Sequence, residues 1–133
     1  MRAIKARMTN GLQKGSLVAT CDNSGAKVLR IISFKGSKTV KGRNMTGGVG
    51  ALITASVWKG APDMRKKVVL AVIVRQRKAY RRLDGVHIRF EDNAAIVLKD
   101  DKGSPKGTLI KGAIAKEAAE RWSGISKVAG IVV

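Results

Sequence analysis

The sequence predicts a mainly β chain, a small closed barrel with a short helical appendage at its carboxyl end, and three observations carry that expectation. Apolar and polar residues alternate over several short stretches, each bounded by turn-forming residues. Val68 to Val74 is an unbroken apolar run rich in β-branched side chains, the pattern of a strand buried on both faces. Four-residue apolar spacing appears only beyond Ala113, which confines helix to the last part of the chain.

Ser16-Leu17-Val18-Ala19-Thr20 is the first strand, and Asp22-Asn23-Ser24-Gly25 follows it with Asx-turn formers and a glycine that tolerates positive φ, as a hairpin turn requires. Ala26 to Phe34 is the second strand, with Val28, Ile32 and Phe34 among mixed neighbours and Lys27 and Arg30 toward solvent. Lys35 to Gly50 breaks down into a basic loop that ends in Gly47-Gly48-Val49-Gly50. Ala51 to Trp58 alternates Ala51, Ile53, Ala55 and Val57 against Leu52, Thr54, Ser56 and Trp58, as a half-buried strand should. Lys59 to Lys67 interrupts it with Pro62 at the bend and Arg65-Lys66-Lys67 at the exit, a cationic loop expected to project from the barrel.

The apolar run Val68 to Val74 then reads as a central strand continuing into Arg75-Gln76-Arg77-Lys78. After the turn at Asp84-Gly85, Val86-His87-Ile88-Arg89-Phe90 points three apolar side chains one way and two basic ones the other, and Asn93 to Leu98 forms one more strand. From Ala113 to Trp122 the stripe Ile114, Ala118, Trp122, with Ala115 and Ala119 beside it, predicts a helix. Its other face pairs Lys116 with Glu120 and Glu117 with Arg121 at i, i+4. Gly124 stands where the helix would stop, and Ile131-Val132-Val133 is expected to rejoin a sheet edge. Residues 1–133 are thus expected to form a single domain, 1–108 as barrel and 109–133 as the helical segment.

Charge is the first functional signal. Lys and Arg number 27 against 9 Asp and Glu, a formal net charge of +18. Such an excess repels itself in the folded state unless a polyanion neutralises it, and phosphate backbones do so with favourable counterion release. A basic membrane-surface protein would carry one amphipathic basic helix, whereas these cations spread along strands and loops. No apolar stretch approaches a membrane span, and no membrane partner is expected. The amino terminus places Arg2, Lys5 and Arg7 where a signal peptide has its apolar run, and the lone Cys21 suits a reducing cytoplasm.

Catalysis fails on inventory. Any relay would have to pass through His87, the only histidine, which the alternation puts on the solvent side with Arg89. Cys21 lies beside Asp22, which disfavours a thiolate, so it reads as a small buried hydrophobe. Asp22, Asp84, Asp92, Asp100 and Asp101 all fall at turns, where Asp serves local backbone hydrogen bonds. One Cys and one His cannot build a structural zinc site. Gly47-Gly48-Val49-Gly50 lacks the Gly-Lys-Ser/Thr of a phosphate loop and reads as a flexible, close-packing turn. No catalytic residue, metal, cofactor or small-molecule substrate is therefore expected.

Arg75-Gln76-Arg77-Lys78-Ala79-Tyr80-Arg81-Arg82 is the densest cationic cluster and contains no acid. Arginine gives planar, bidentate phosphate contact, so this run is read as an RNA-binding surface together with Tyr80 and Arg89. Lys35, Lys38, Lys41 and Arg43 of the first basic loop are assigned to the same role. Aromatic residues make up only 4% of the chain, which argues against readout by base stacking and for recognition of folded RNA by shape.

These motifs resemble a known family over nearly the whole chain, universal ribosomal protein fourteen of the large subunit, in its archaeal type. Cys21-Asp22-Asn23-Ser24-Gly25-Ala26 resembles its first hairpin turn, Val72-Ile73-Val74-Arg75-Gln76-Arg77-Lys78 its central basic strand, and Arg81-Arg82-Leu83-Asp84-Gly85 its hairpin. Phe90-Glu91-Asp92-Asn93-Ala94-Ala95, then Pro105-Lys106-Gly107-Thr108, Gly112 and Lys116-Glu117, complete the order. The long amino terminus and the loop from Lys59 to Lys67 are similar to archaeal and eukaryotic members. In one departure, Ala113 follows Gly112 where members often have proline, so the helix lacks a pre-set first φ.

The resemblance implies a five-stranded β-barrel, a place in the cytoplasmic ribosome, and contact with large-subunit ribosomal RNA and neighbouring large-subunit proteins. It also implies bridges to small-subunit RNA through Lys59, Arg65, Lys66, Lys67, Ser126 and Lys127. Thr108, Lys111, Lys116 and Arg121 would then serve docking of an anti-association initiation factor. The alternative reading of the same charge is an RNA-binding or RNA-chaperone barrel outside the ribosome.

Overall fold

The strands that close the barrel condense where alternation and turn residues predict them, short pairings that the sequence did not show are added, and the computed structural model describes residues 1–133. In chain order they are β1 (Ala6–Arg7), β2 (Leu12–Gln13), β3 (Leu17–Thr20), β4 (Ala26–Phe34), β5 (Thr46–Gly47) and β6 (Leu52–Gly60). They continue as β7 (Val68–Arg75), β8 (Tyr80–Arg82), β9 (His87–Ile88) and β10 (Ala94–Leu98). The carboxyl-terminal segment adds β11 (Ala113–Ile114), α1 (Lys116–Arg121), α2 (Ser123–Val128) and β12 (Ile131–Val132). Five strands close a barrel in the order β10-β3-β4-β6-β7, as expected, and closure removes the exposed edges that an open sheet would present.

The strands β7 and β10 are buried on both faces, which is why their sequences do not alternate. Ala71, Ile73, Ala95 and Val97 join Leu29, Ile31, Ile53 and Val57 in the cluster that fills the barrel. Their neighbours Val72, Val74, Ile96 and Leu98 join Ile114, Ala118, Trp122 and Ile125, so the carboxyl-terminal segment covers the outer face of the same two strands. The indole Nε1–H of Trp122 donates to the Gly50 carbonyl at 3.0 Å and ties α1 to the end of the basic loop.

Register assigns the loops to two ends of the barrel. Ala26 lies opposite Gly60 and Phe34 opposite Ile53. The β3–β4 turn and the β6–β7 hairpin therefore share one end, where the Ala61 N–H donates to Gly25 at 2.8 Å. The loop after Phe34 and the basic run after Arg75 leave from the other.

Four local expectations are corrected. Three register shifts in β4 rotate its apolar set, so Leu29 and Ile31 are buried while Ile32 is exposed. The expected strand from Val86 to Phe90 shrinks to His87–Ile88, leaving Val86 half exposed. The helix begins at Lys116, because Ala113 and Ile114 pair in parallel with Ile131 and Val132, the sheet edge that the last residues do rejoin. Gly124 does not end a helix but lies inside α2, where a Cβ would stand 2.5 Å from the Gly103 carbonyl oxygen.

Candidate nucleic-acid interface

Two of the expected RNA-binding arginines are turned inward. Arg75 grips Asp92 with both Nε (2.9 Å) and Nη2 (3.1 Å), and its Nη1 donates to the carbonyls of Lys111 (3.1 Å) and Ala113 (2.8 Å). That fork brackets the end of β7 to the carboxyl-terminal segment. Arg82 donates through Nε to Glu117 Oε1 at 2.6 Å and through Nη2 to the Val133 carbonyl at 2.7 Å. Tyr80, placed in the RNA set by sequence, is fully buried and its hydroxyl donates to Glu117 Oε2 at 2.7 Å. It presents no surface to RNA, because alternation along β8 turns it inward on the same face as Arg82 and leaves Arg81 on the other.

The chemistry of this buried triad is structural. Burial pushes the Glu117 carboxyl up, but hydrogen bonds from Arg82 and Tyr80 outweigh it and hold the group below its usual value. Burial, then the hydrogen bond to Glu117, raises the Tyr80 phenol, and the same carboxylate holds the Arg82 proton more tightly. Glu117 is thus taken by Arg82 and not by Arg121, and Lys116 makes no salt bridge with Glu120.

The remaining cations of this end are exposed: Lys35, Lys38, Lys41, Arg43, Arg77, Lys78, Arg81 and Arg89. The β1-β8-β9 sheet sets Arg7 opposite Arg81 and Arg81 opposite His87, a row of basic side chains across three strands. Like charges set directly opposite cost stability unless an anion lies across them. Sequence reasoning missed Arg7, since only the non-local pairing of β1 with β8 brings it here. Gln76 is the joint between the two basic segments. Its Oε1 accepts the Val49 N–H at 3.0 Å, and its Nε2 donates to the carbonyls of Thr9 and Lys78 at 2.9 Å each. A Cβ on Gly48 would stand 2.6 Å from Gln76 Oε1, so the glycine run is close-packed and buried.

The expected bridge residues fall in two places. Lys59, Arg65 and Lys66 line one groove beside the β6–β7 hairpin, and Lys67 is exposed at its exit. Met64 within that hairpin is buried in the barrel cluster, which anchors the turn. Ser126 and Lys127 instead share a groove with Lys116 and Arg2 over the helices. Of the expected docking set, Lys116 is there. Thr108 is elsewhere, its N–H donating to Asn23 at 2.9 Å, and Lys111 is exposed near Arg75. Arg121 is partly buried under the amino terminus, its Nη2 3.3 Å from Met1 Sδ, and burial pushes its proton affinity down. Cys21 is buried, and desolvation pushes its thiol up to about 11, in line with a core side chain.

The family model described as ribosomal protein L14p/L23e matches residues 11–133. The chain is 51% identical over 133 residues to the large ribosomal subunit protein uL14 of Halobacterium salinarum, covering all of both chains. It is similar over the same full span to the proteins of that name from Picrophilus torridus, at 49% identity, and Nanoarchaeum equitans, at 48%.

Proposed function

Because the chain belongs to the ribosomal protein L14p/L23e family, a family of structural ribosomal proteins and not of enzymes, we propose that it is a structural constituent of the large ribosomal subunit that binds large-subunit ribosomal RNA and contributes to bridges with small-subunit RNA. One observation carries the RNA reading: among 27 Lys and Arg, only Arg75 and Arg82 sit in salt bridges. The rest of the charge is unpaired within the chain and calls for a polyanion.

The two-ended barrel supports a division of labour. Arg7, Arg77, Lys78, Arg81 and Arg89, with the loop holding Lys35, Lys38, Lys41 and Arg43, form the surface for large-subunit RNA. Lys59, Arg65, Lys66 and Lys67 at the opposite end reach small-subunit RNA. The groove of Lys116, Ser126 and Lys127 suits a protein neighbour or the anti-association factor. Arg75 and Arg82 act as braces that hold this arrangement.

Changing Arg77, Lys78, Arg81 and Arg89 together to glutamine should lower the slope of log affinity against log salt by about three to four units on large-subunit RNA. Thermal stability should hold or rise, since none of the four is in a salt bridge and their loss relieves like-charge repulsion. An unchanged slope would remove this surface from the RNA interface.

A further inference from the structure

We propose that the groove beside Trp58 receives one unpaired RNA base, stacked on the indole, with the flanking phosphates held by Lys59, Arg65 and Lys66. The proposal takes its RNA from the bridge reading of the β6–β7 hairpin and adds the chemical form recognised there. Single exposed apolar residues are ordinary, so the 52% exposure of Trp58 says little by itself. Its surroundings say more. The register places Arg30 opposite Ser56, and Trp58 is the next residue of β6 on that outer face. The Arg30 guanidinium carbon lies 5.7 Å from the centre of the indole ring, which holds the ring and adds positive charge to it.

The groove of about 530 Å³ is lined by Ser56, Val57, Trp58, Lys59, Arg65 and Lys66, with no acidic side chain. A flat π surface ringed by cations is the combination that binds single-stranded nucleic acid: stacking takes the base and the cations take its phosphates. Backbone strain points the same way. Lys66 has φ 64, and its N–H donates to the Val57 carbonyl at 3.1 Å while Val57 donates back to Lys67 at 2.9 Å. This is the left-handed position at which hairpins favour glycine or asparagine. A lysine kept there at a conformational cost supplies charge to the groove. The low aromatic content argues against stacking as a general mode of readout, whereas a single site needs only one exposed ring.

The test uses the full chain with oligoadenylate of about six nucleotides and, separately, a fully paired RNA duplex. Trp122 is only 1% exposed, so a change in emission on adding RNA reports Trp58. Oligoadenylate should quench that emission and the duplex should not. Trp58→Ala should weaken oligoadenylate about tenfold with its salt slope unchanged, and Trp58→Phe should restore most of the affinity. Wild-type affinity in Trp58→Ala, or equal quenching by the duplex, would overturn the proposal. Subunit joining separates this failure from that of the bridge reading. If changing Arg65, Lys66 and Lys67 to glutamine weakens joining while Trp58→Ala binds oligoadenylate normally, the bridge stands and the stacking site falls. If the oligoadenylate results hold but neither variant alters joining, the stacking site stands and the bridge falls.

Discussion

Glu117 is 4% exposed and accepts hydrogen bonds from both Arg82 and Tyr80. Removing its charge leaves a partly buried guanidinium half unpaired, so Glu117→Gln should cost about 3 kcal/mol at neutral pH, read as a lowered urea midpoint. The folded carboxyl is held below its ordinary value, so its contribution is present above the unfolded pKa and disappears as pH falls through the folded one. Wild type and Glu117→Gln should therefore converge in acid. A constant gap down to acid pH would show that the charge is not what stabilises the contact. The sequence offered Arg121 as the partner because i, i+4 spacing is the only pairing visible locally, whereas Arg82 lies 35 positions away and arrives only through β8. The same blindness hid the inward turn of Tyr80 and Arg75. Cys21 was legible, since a thiol beside Asp22 is disfavoured as a thiolate and reads as a small buried hydrophobe. Its thiol, pushed up to about 11 in the core, should resist alkylation at neutral pH until the chain unfolds. Rapid labelling of the folded protein would contradict that burial.

At the scale of elements, the β6–β7 hairpin is where geometry and function are most easily separated. Lys66→Gly should leave stability equal or raise it by about 1 kcal/mol, because glycine meets φ 64 without steric cost. A clear loss of stability would mean that the Lys66 side chain supports the fold. Neutralising Arg65, Lys66 and Lys67 should leave large subunits assembled and weaken joining at low magnesium; failure to enter the large subunit would move the hairpin into its RNA interface. The barrel strands were readable: β4 spans the predicted Ala26 to Phe34, and β7 and β10 follow their apolar runs, whereas the two-residue β1, β2 and β5 gave no signal of their own. What periodicity could not supply was register. Bulges in β4 exchange Ile32 for Ile31 in the core, and pairing of β11 with β12 takes Ala113 and Ile114 from the predicted helix. Both depend on contacts between distant segments. The basic segments were equally plain in sequence, but not their distribution over opposite ends of the barrel, which follows from Ala26 lying opposite Gly60.

For the whole molecule, a charge of +18 with two internal salt bridges means that the free protein works against its own repulsion. Its melting temperature should rise with added salt at neutral pH, and rise further with polyanion. A melting temperature indifferent to both would imply that the cations are not mutually strained. We propose that residues 1–133 behave as one domain, because the amino terminus, barrel and helices are tied together: Arg2 N–H donates to Arg121 at 3.0 Å, and Trp122 to Gly50. A single cooperative transition seen by both tryptophan emission and far-ultraviolet dichroism is the expected result; separate transitions would divide the barrel from the helical segment. The central claim is that the barrel holds large-subunit RNA at one end and meets small-subunit RNA at the other. Protein–RNA crosslinking in cells, with both partners mapped, tests it most directly. Arg77, Lys78 and Arg81 should crosslink to large-subunit RNA in free and joined subunits alike, and Arg65 and Lys66 to small-subunit RNA only in joined particles. Crosslinks predominantly to messenger RNA, or both ends on the same ribosomal RNA, would contradict it.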